Sequence, residues 1–340
     1  MKKFLLPENG NFYKANLHCH TTVSDGARTP EEIKEVYMSK GYSIVAYTDH
    51  NNYVKHNELT DENFLALNGM ELDICDESRV AWYKKTCHFC FIAKDEDINV
   101  QPCYHTGAEL EKNENGDRWS CLVKLNEEDE YEDAEYSPEC VNKLIAHAKS
   151  KGFFVTYNHP TWSREIYTDY INYKGLDAME MYNGSIASGY ECYNPRVYDD
   201  ILGSGQKIYC IGADDNHSRR PDTRRSDEGV AFTVIKAEEL TYPSVMKAIE
   251  NGNFYASMGP EIYELYCEDG KVHIKCSDAD RILFNCQVRK ADVAYAENGV
   301  PVTEATFELP RKGFGYFRIT VVDATGKTAC TNAYFEEDLI

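Results

Sequence analysis

Long apolar runs are missing from this chain, and so is any excess of positive charge. Membrane-spanning helices need about 20 consecutive apolar residues. Nothing here approaches that, and the N-terminal run Phe4-Leu5-Leu6 falls far short of a signal-peptide core. The expectation is a cytoplasmic protein without a membrane span. With 36 Lys and Arg against 57 Asp and Glu, the formal net charge is -21. A protein that grips long nucleic acid or anionic lipid without specificity presents a basic surface, so both partners are excluded as general ligands. Paired cysteine motifs are also scarce. The 13 cysteines are odd in number and scattered, and Cys87 and Cys90 form a lone CxxC. A disulfide framework or a structural zinc knot would show more order, so reduced thiols are expected. There is no internal repeat of 20 to 50 residues, which excludes solenoids and propellers.

What is present is a β/α alternation. Short β-rich runs at Ala15 to His20, Ser43 to Thr48, Leu65 to Glu71, Cys87 to Ala93, Phe153 to Tyr157, Ala178 to Met181 and Ile208 to Ala213 are separated by helical segments. Thr29-Pro30-Glu31-Glu32 reads as an N-cap, a first-turn proline and a capping-box glutamate, with Gly41 closing the helix. Ser137-Pro138-Glu139 opens another, ending at Gly152. Between 94 and 136 the pattern dissolves into Asn, Gly and acidic residues, which predicts a solvated insertion. After Gly259-Pro260 short alternating strands follow, among them Lys271 to Cys276 and Phe314 to Val322. The 340 residues exceed one typical domain of about 150, although α/β barrels reach 200 to 250. The reading is a large catalytic unit, 1–258, and a small all-β unit, 259–340.

The chemistry-bearing residues recur at strand ends. His18-Cys19-His20 follows the first strand, and alternation along a strand sends both imidazoles to one side. One HxH is weak evidence, because a strand histidine is more often a hydrogen-bonded core residue. Repetition changes this: Thr48-Asp49-His50, Gly69-Met70-Glu71, Cys87-His88, Asn158-His159-Pro160 and Asp215-Asn216-His217 end or occupy later strands. In a βα barrel these ends converge on the catalytic face. Six of the ten histidines then share a cavity with several carboxylates. Unpaired, so many buried polar groups are costly, and divalent cations resolve the cost. Mixed His and carboxylate donors suit Zn, Mn or Fe(II), without selecting among them.

The segment Asn16-Leu17-His18-Cys19-His20-Thr21-Thr22-Val23-Ser24-Asp25-Gly26 and the ordered HxH, Asp, TDH, Glu, His, HP and DxH motifs resemble the polymerase and histidinol phosphatase (PHP) superfamily over roughly residues 15 to 217. That resemblance implies a distorted (β/α)7 barrel holding up to three metals. It implies one ion on His18, His20, Glu71 and Asp215, with Glu71 bridging to a second on His88 and His159. A third would lie on Asp25, His50 and His217. Asp49 and Asp214 are left to orient histidine ligands. Asp199 to Gly205, and Lys247 to Pro260 with its Gly252-Asn253-Phe254-Tyr255-Ala256-Ser257-Met258-Gly259-Pro260, resemble the carbaryl-hydrolase branch.

Such a centre is suited to phosphoester hydrolysis through activated water, with Glu71, Asp215 and His217 as catalytic candidates. Arg219, Arg220, Arg224 and Arg225 crowd the seven positions after the DxH motif, where arginine forks suit phosphate. A solvated loop balanced by Asp227 and Glu228 is the competing reading. Trp162, Ser163, Asn183 and Gly184 are placed to line the mouth, while His56, His105, His147 and His273 read as structural. The expected partner is a small phosphorylated metabolite or nucleotide, with short RNA ends as a subtype. Two other classes remain open: a carboxylic or carbamate ester hydrolase using the same centre, and a non-catalytic metal-dependent module.

Overall fold

The computed structural model describes residues 2–76, 85–106, 122–185, 192–221 and 223–339. Nine strands position the site: β1 (Asn11–Asn16), β2 (Ile44–Tyr47), β3 (Leu65–Cys75), β4 (Thr86–Ala93), β5 (Phe153–Tyr157), β6 (Ala178–Asn183), β7 (Tyr209–Ala213), β8 (Phe232–Ala237) and β9 (Phe254–Ser257). Four more come later, β10 (Arg281–Cys286), β11 (Ala291–Tyr295), β12 (Tyr316–Val322) and β13 (Thr328–Thr331). They form one large sheet in the order β7-β6-β5-β4-β3-β2-β1-β8-β9-β13-β12-β10-β11. Ile44–Tyr47 and Phe153–Tyr157 are buried at every position. Burial on both faces explains why these strands read as unbroken apolar runs.

Helices are few. The first, α1 (Pro30–Ser39), starts with the capping box read from the sequence: Thr29 Oγ1 accepts from Glu32 N at 3.3 Å and Glu32 Oε2 from Thr29 N at 2.9 Å. Such reciprocal caps contribute about 1 kcal/mol. Next, α2 (Pro138–Ser150) buries Val141, Leu144, Ile145 and Ala148, while α3 (Pro195–Gly203) and α4 (Tyr242–Glu250) bury similar apolar stripes.

The expected (β/α)7 barrel is not found closed among the described residues, and the ladder departs from it in two ways. β4 runs antiparallel to both β3 and β5, whereas β1, β2 and β3 are mutually parallel, as are β5, β6 and β7. The second departure lies between β7 and β1, which are not ladder partners in the described residues. The segments beyond them meet instead through a parallel bridge, Cys19 to Asn216, with His20 N donating to Asn216 O at 3.1 Å and Asp215 N to His18 O at 2.9 Å. Beside this seam β7 lies against β8 so closely that a Cβ on Gly212 would stand 2.6 Å from Phe232 O, an approach open only to glycine.

β1 ends at Asn16, short of the expected His20. Its ladder bonds to β2 stop at the Asn16–Val45 pair, and Cys19 N turns to Thr48 Oγ1 at 2.9 Å. The strands after residue 258 are stitched to what precedes them: β13 pairs with β9, and Ile262–Glu268 pairs with Lys3–Phe4. Of the insertion expected at 94–136, residues 107–121 lie outside the described residues. Its flanks hold a small antiparallel sheet of Tyr104–Thr106, Leu122–Lys124 and Glu132–Asp133, and Glu127 to Glu130 are exposed. No disulfide joins the described cysteines. Cys87 and Cys90, three apart on β4, point to opposite faces, so the CxxC does not converge.

Candidate metal centre

All nine residues singled out as ligands meet at one end of the sheet. His18 and His20 follow β1, His50 follows β2, Glu71 stands within β3, His159 follows β5, and Asp215 and His217 follow β7. His88 arrives differently. Because β4 is antiparallel, it comes from the N-terminal end of its strand, opposite Asp73 of β3. The expectation that strand C-termini alone supply the site fails there.

Glu71 is the hub. Its Oε1 lies 3.1 Å from His18 Nε2, 3.2 Å from His88 Nδ1 and 3.3 Å from His159 Nε2. Its Oε2 lies 3.2 Å from His50 Nδ1 and 3.3 Å from His20 Nε2. Asp215 Oδ1 is 3.0 Å from His20 Nε2 and 3.3 Å from His18 Nε2, and those two imidazole nitrogens face each other at 3.1 Å. Three donor groups emerge: His18, His20, Glu71 and Asp215; His20, Asp25, His50 and His217; and His50, Glu71 and His88. The first matches the set implied by the superfamily. In the others, His20 joins Asp25, His50 and His217, and His50 takes the place given to His159 beside Glu71 and His88.

The donor set fits cations on its own evidence. Ligands bonded at about 2.1 Å in a tetrahedron stand roughly 3.4 Å apart, close to the spacings above. Buried His20 Nδ1, His50 Nδ1 and Glu71 Oε2 make no hydrogen bond. Buried polar atoms without partners are rare, and here they converge. The electrostatics point the same way. Burial opposes charge on His18, yet Asp215, Glu71 and Glu180 outweigh it and raise its pKa well above the usual histidine range. His20 and His88 rise to about 9 against the same burial, through Asp215 and Glu71 for His20 and chiefly Glu71 for His88. Burial and the neighbouring His20 lower His50 to about 4. Burial would raise Glu71, Asp215 and Asp25, but the imidazoles hold all three below the carboxylate range. The pocket thus gathers positive charge around three ionised carboxylates, the role divalent ions take when bound.

Several supporting roles were not anticipated from sequence. Glu180, fully buried on β6, accepts from His18 Nδ1 at 2.7 Å, from His159 N at 2.8 Å and from Asn183 Nδ2 at 2.8 Å. Its signal was available: a lone carboxylate inside Ala178–Asn183, an otherwise uncharged buried strand, needs partners. Asn158 Nδ2 donates to Glu71 Oε1 at 2.8 Å, and Ser163 Oγ meets His159 Nδ1 at 3.2 Å. Asp49 and Asp214 orient no histidine side chain. Asp49 receives Thr21 N, Thr21 Oγ1, Ser24 N and Ser24 Oγ, tying down the turn that carries Asp25. Asp214 receives Tyr37 Oη and the amides of Gly229, Val230 and Ala231. His56, His105, His147 and His273 lie outside the three groups.

The centre opens into a cavity of about 440 Å³, whose wall includes Trp162, Ser185, Arg219, Arg220, Arg225 and Asp227. Arg224 is not among its lining residues. Arg219 already has a partner: its Nη2 donates to Asp25 Oδ2 at 2.7 Å and to Asp25 O at 2.9 Å. Asp222 of the arginine segment lies outside the described residues.

No protein-family model matches the chain. DNA polymerase/3'-5' exonuclease PolX of Bacillus subtilis is 39% identical over 18% of this chain and 14% of that polymerase, so the chain spans only a small part of it. A two-domain protein from Bacteroides vulgatus, described by inference as containing a PHP-like metal-dependent phosphoesterase, is 15% identical with a TM-score of 0.43, over 98% of this chain and 97% of that one. A structure from Bifidobacterium adolescentis, described by inference as a metal-dependent phosphoesterase, is 16% identical with a TM-score of 0.39, over 64% and 91%. An amidohydrolase from Chromobacterium violaceum, solved with sulfate and no metal, is 16% identical with a TM-score of 0.37, over 62% and 89%. None of these names bears on the carbaryl-hydrolase branch.

Proposed function

We propose that this chain is a metal-dependent hydrolase that cleaves phosphoesters of small molecules. One observation supports the reading above the others: donor groups sharing Glu71 open onto the same cavity as Arg220 and Arg225. His18, His20, Glu71 and Asp215 would hold one ion, Glu71, His88 and His159 a second, and Asp25, His50 and His217 a third, so that each imidazole serves a single ion. Divalent Zn, Mn or Fe bound there supplies Lewis acidity, which lowers the pKa of water and neutralises phosphoryl charge.

The chain's own groups do the rest. Arg220 and Arg225, without an ion-pair partner among the described residues, receive the phosphoryl oxygens as charged hydrogen-bond donors. A water oxygen forms the new bond to phosphorus as the bond to the leaving oxygen breaks, and the two protons of that water end on the leaving oxygen and on the released phosphate. His217 is held in place by its Nδ1, which donates to Asp215 O at 3.0 Å and leaves Nε2 as the atom that would hold an ion. Residues 1–258 carry the reaction, and 259–340 brace them through the shared sheet.

The test is a screen of phosphomonoesters, short RNA ends and aryl carboxylic or carbamate esters with protein loaded separately with Mn, Zn and Fe(II). Phosphate release is expected. Replacing Arg220 and Arg225 together by alanine should lower kcat/KM by about 10- to 100-fold, the scale of losing one charged hydrogen bond. Hydrolysis of carboxylic or carbamate esters with no phosphate release, or an unchanged kcat/KM in the double variant, would overturn the assignment.

A further inference from the structure

Trp162 is left unexplained by metal chemistry. It is 40% exposed, although it sits directly over the centre. Its ring meets His159 edge-to-face, with centroids 5.1 Å apart at 84°, and His88 likewise at 5.4 Å and 72°. Those are its only ring contacts among the described residues. An exposed tryptophan in a cavity lined with arginine and carboxylate is a poor choice for packing, since its large apolar face stays wet.

The backbone beneath it is held firmly. Ser163 N donates to His159 O at 3.1 Å, and Thr86 N donates to Ser163 O at 3.1 Å. Thr161 Oγ1 donates to Asn194 Oδ1 at 2.5 Å. Just beyond, partly buried Glu165 accepts from Tyr136, Tyr157 and Tyr173 at 2.9, 2.5 and 2.5 Å. The loop therefore presents the indole in a fixed place rather than leaving it loose. The same cavity wall carries Arg220 and Arg225.

We infer that Trp162 is a specificity-determining residue that stacks against a flat aromatic ring in the substrate's leaving group, while the arginines take its phosphoryl group. The inference rests on the phosphoesterase reading and narrows it to phosphoesters of aryl alcohols or of nucleosides, whose rings share the π-face an indole recognises. Stacking of a base on an aromatic side chain is worth about 5- to 100-fold in affinity on alanine replacement.

The experiment has two arms. In the first, the metal-loaded wild type, Trp162→Ala and Trp162→Phe are compared on phenyl phosphate, adenosine 5'-monophosphate and glycerol phosphate. The ratio of kcat/KM for each ring-bearing substrate to that for glycerol phosphate should fall about 10-fold in Trp162→Ala, mainly through KM, and recover in Trp162→Phe. A fall confined to phenyl phosphate or to the nucleotide identifies which source of ring the site takes. In the second arm, calorimetry measures binding of phenylphosphonate against methylphosphonate, which needs no turnover. A preference for the phenyl compound that disappears in Trp162→Ala supports stacking even if no phosphoester is hydrolysed, a result that would count against the phosphoesterase reading alone. Equal losses for ring-bearing and ring-free ligands, or no loss for either, overturn the inference; the first of these assigns Trp162 only to bracing His88 and His159.

Discussion

Replacing Glu180 by glutamine changes almost no volume but removes one charge from the partner of His18. In the native chain one carboxylate oxygen receives His18 Nδ1 at 2.7 Å, and the other receives His159 N and Asn183 Nδ2, both at 2.8 Å. Glutamine has a single acceptor oxygen, so one side must meet an NH2 group. Turned to keep His159 N and Asn183, it sets that NH2 against His18 Nδ1, forcing the imidazole proton onto Nε2, the atom 3.1 Å from His20 Nε2 and from Glu71 Oε1. Turned the other way, it strands two buried donors. Either arrangement loses at least one hydrogen bond to a charged acceptor, about 1.5 to 3 kcal/mol. At about 1.4 kcal/mol per factor of ten, divalent-ion affinity should weaken roughly 10- to 100-fold. Titrating chelator-treated wild type and Glu180→Gln with Zn or Mn against a chromophoric chelator measures this, and circular dichroism and thermal melting in chelator confirm that the variant folds. A folded variant that binds ions within about two-fold of the wild type would refute the reasoning, because His18 would then need no partner to fix its tautomer.

Two other perturbations have outcomes set by the same geometry. A Cβ on Gly26 would stand 2.6 Å from both His20 C and His20 O, so Gly26→Ala must displace the backbone that aims His20; a loss of about 1 to 3 kcal/mol in stability and of bound metal is expected by thermal melting and elemental analysis, and a fully loaded, equally stable variant would contradict it. Burial raises Glu165 to about 7 despite hydrogen bonds from Tyr157, Tyr173 and Tyr136, so between the unfolded value of 4.5 and about 7 the native state holds a proton that the unfolded chain has released. Stability should therefore fall as pH rises through that window, by up to about 3 kcal/mol, and be flatter in Glu165→Gln; parallel denaturant curves for the two proteins across pH 4.5 to 7 would contradict the assignment.

Much of this protein is legible along the chain because its signals are local. The capping box of α1 needs only Thr29 and Glu32, and the apolar runs of β2 and β5 announce strands buried on both faces. Nine polar residues falling at or beside such runs were enough to anticipate a shared cavity, since burying them apart is costly. The resemblance anticipated that His18, His20, Glu71 and Asp215 share a donor group, but how the remaining ligands group was not legible. That depends on β4 running antiparallel, which brings His88 in from the other end of its strand. The carboxylate that orients His18 is Glu180, 162 positions away, whereas Asp49 and Asp214, beside the ligands in sequence, turn to the backbone. Arg219 reads like its neighbours until the fold pairs it with Asp25 and leaves Arg220 and Arg225 facing the cavity. Residue type and period therefore determined which groups need one another, because desolvation cost and backbone periodicity act at short range. Strand direction and chain closure decided which partner each received, because hydrogen bonds form only between atoms that tertiary structure brings within about 3 Å.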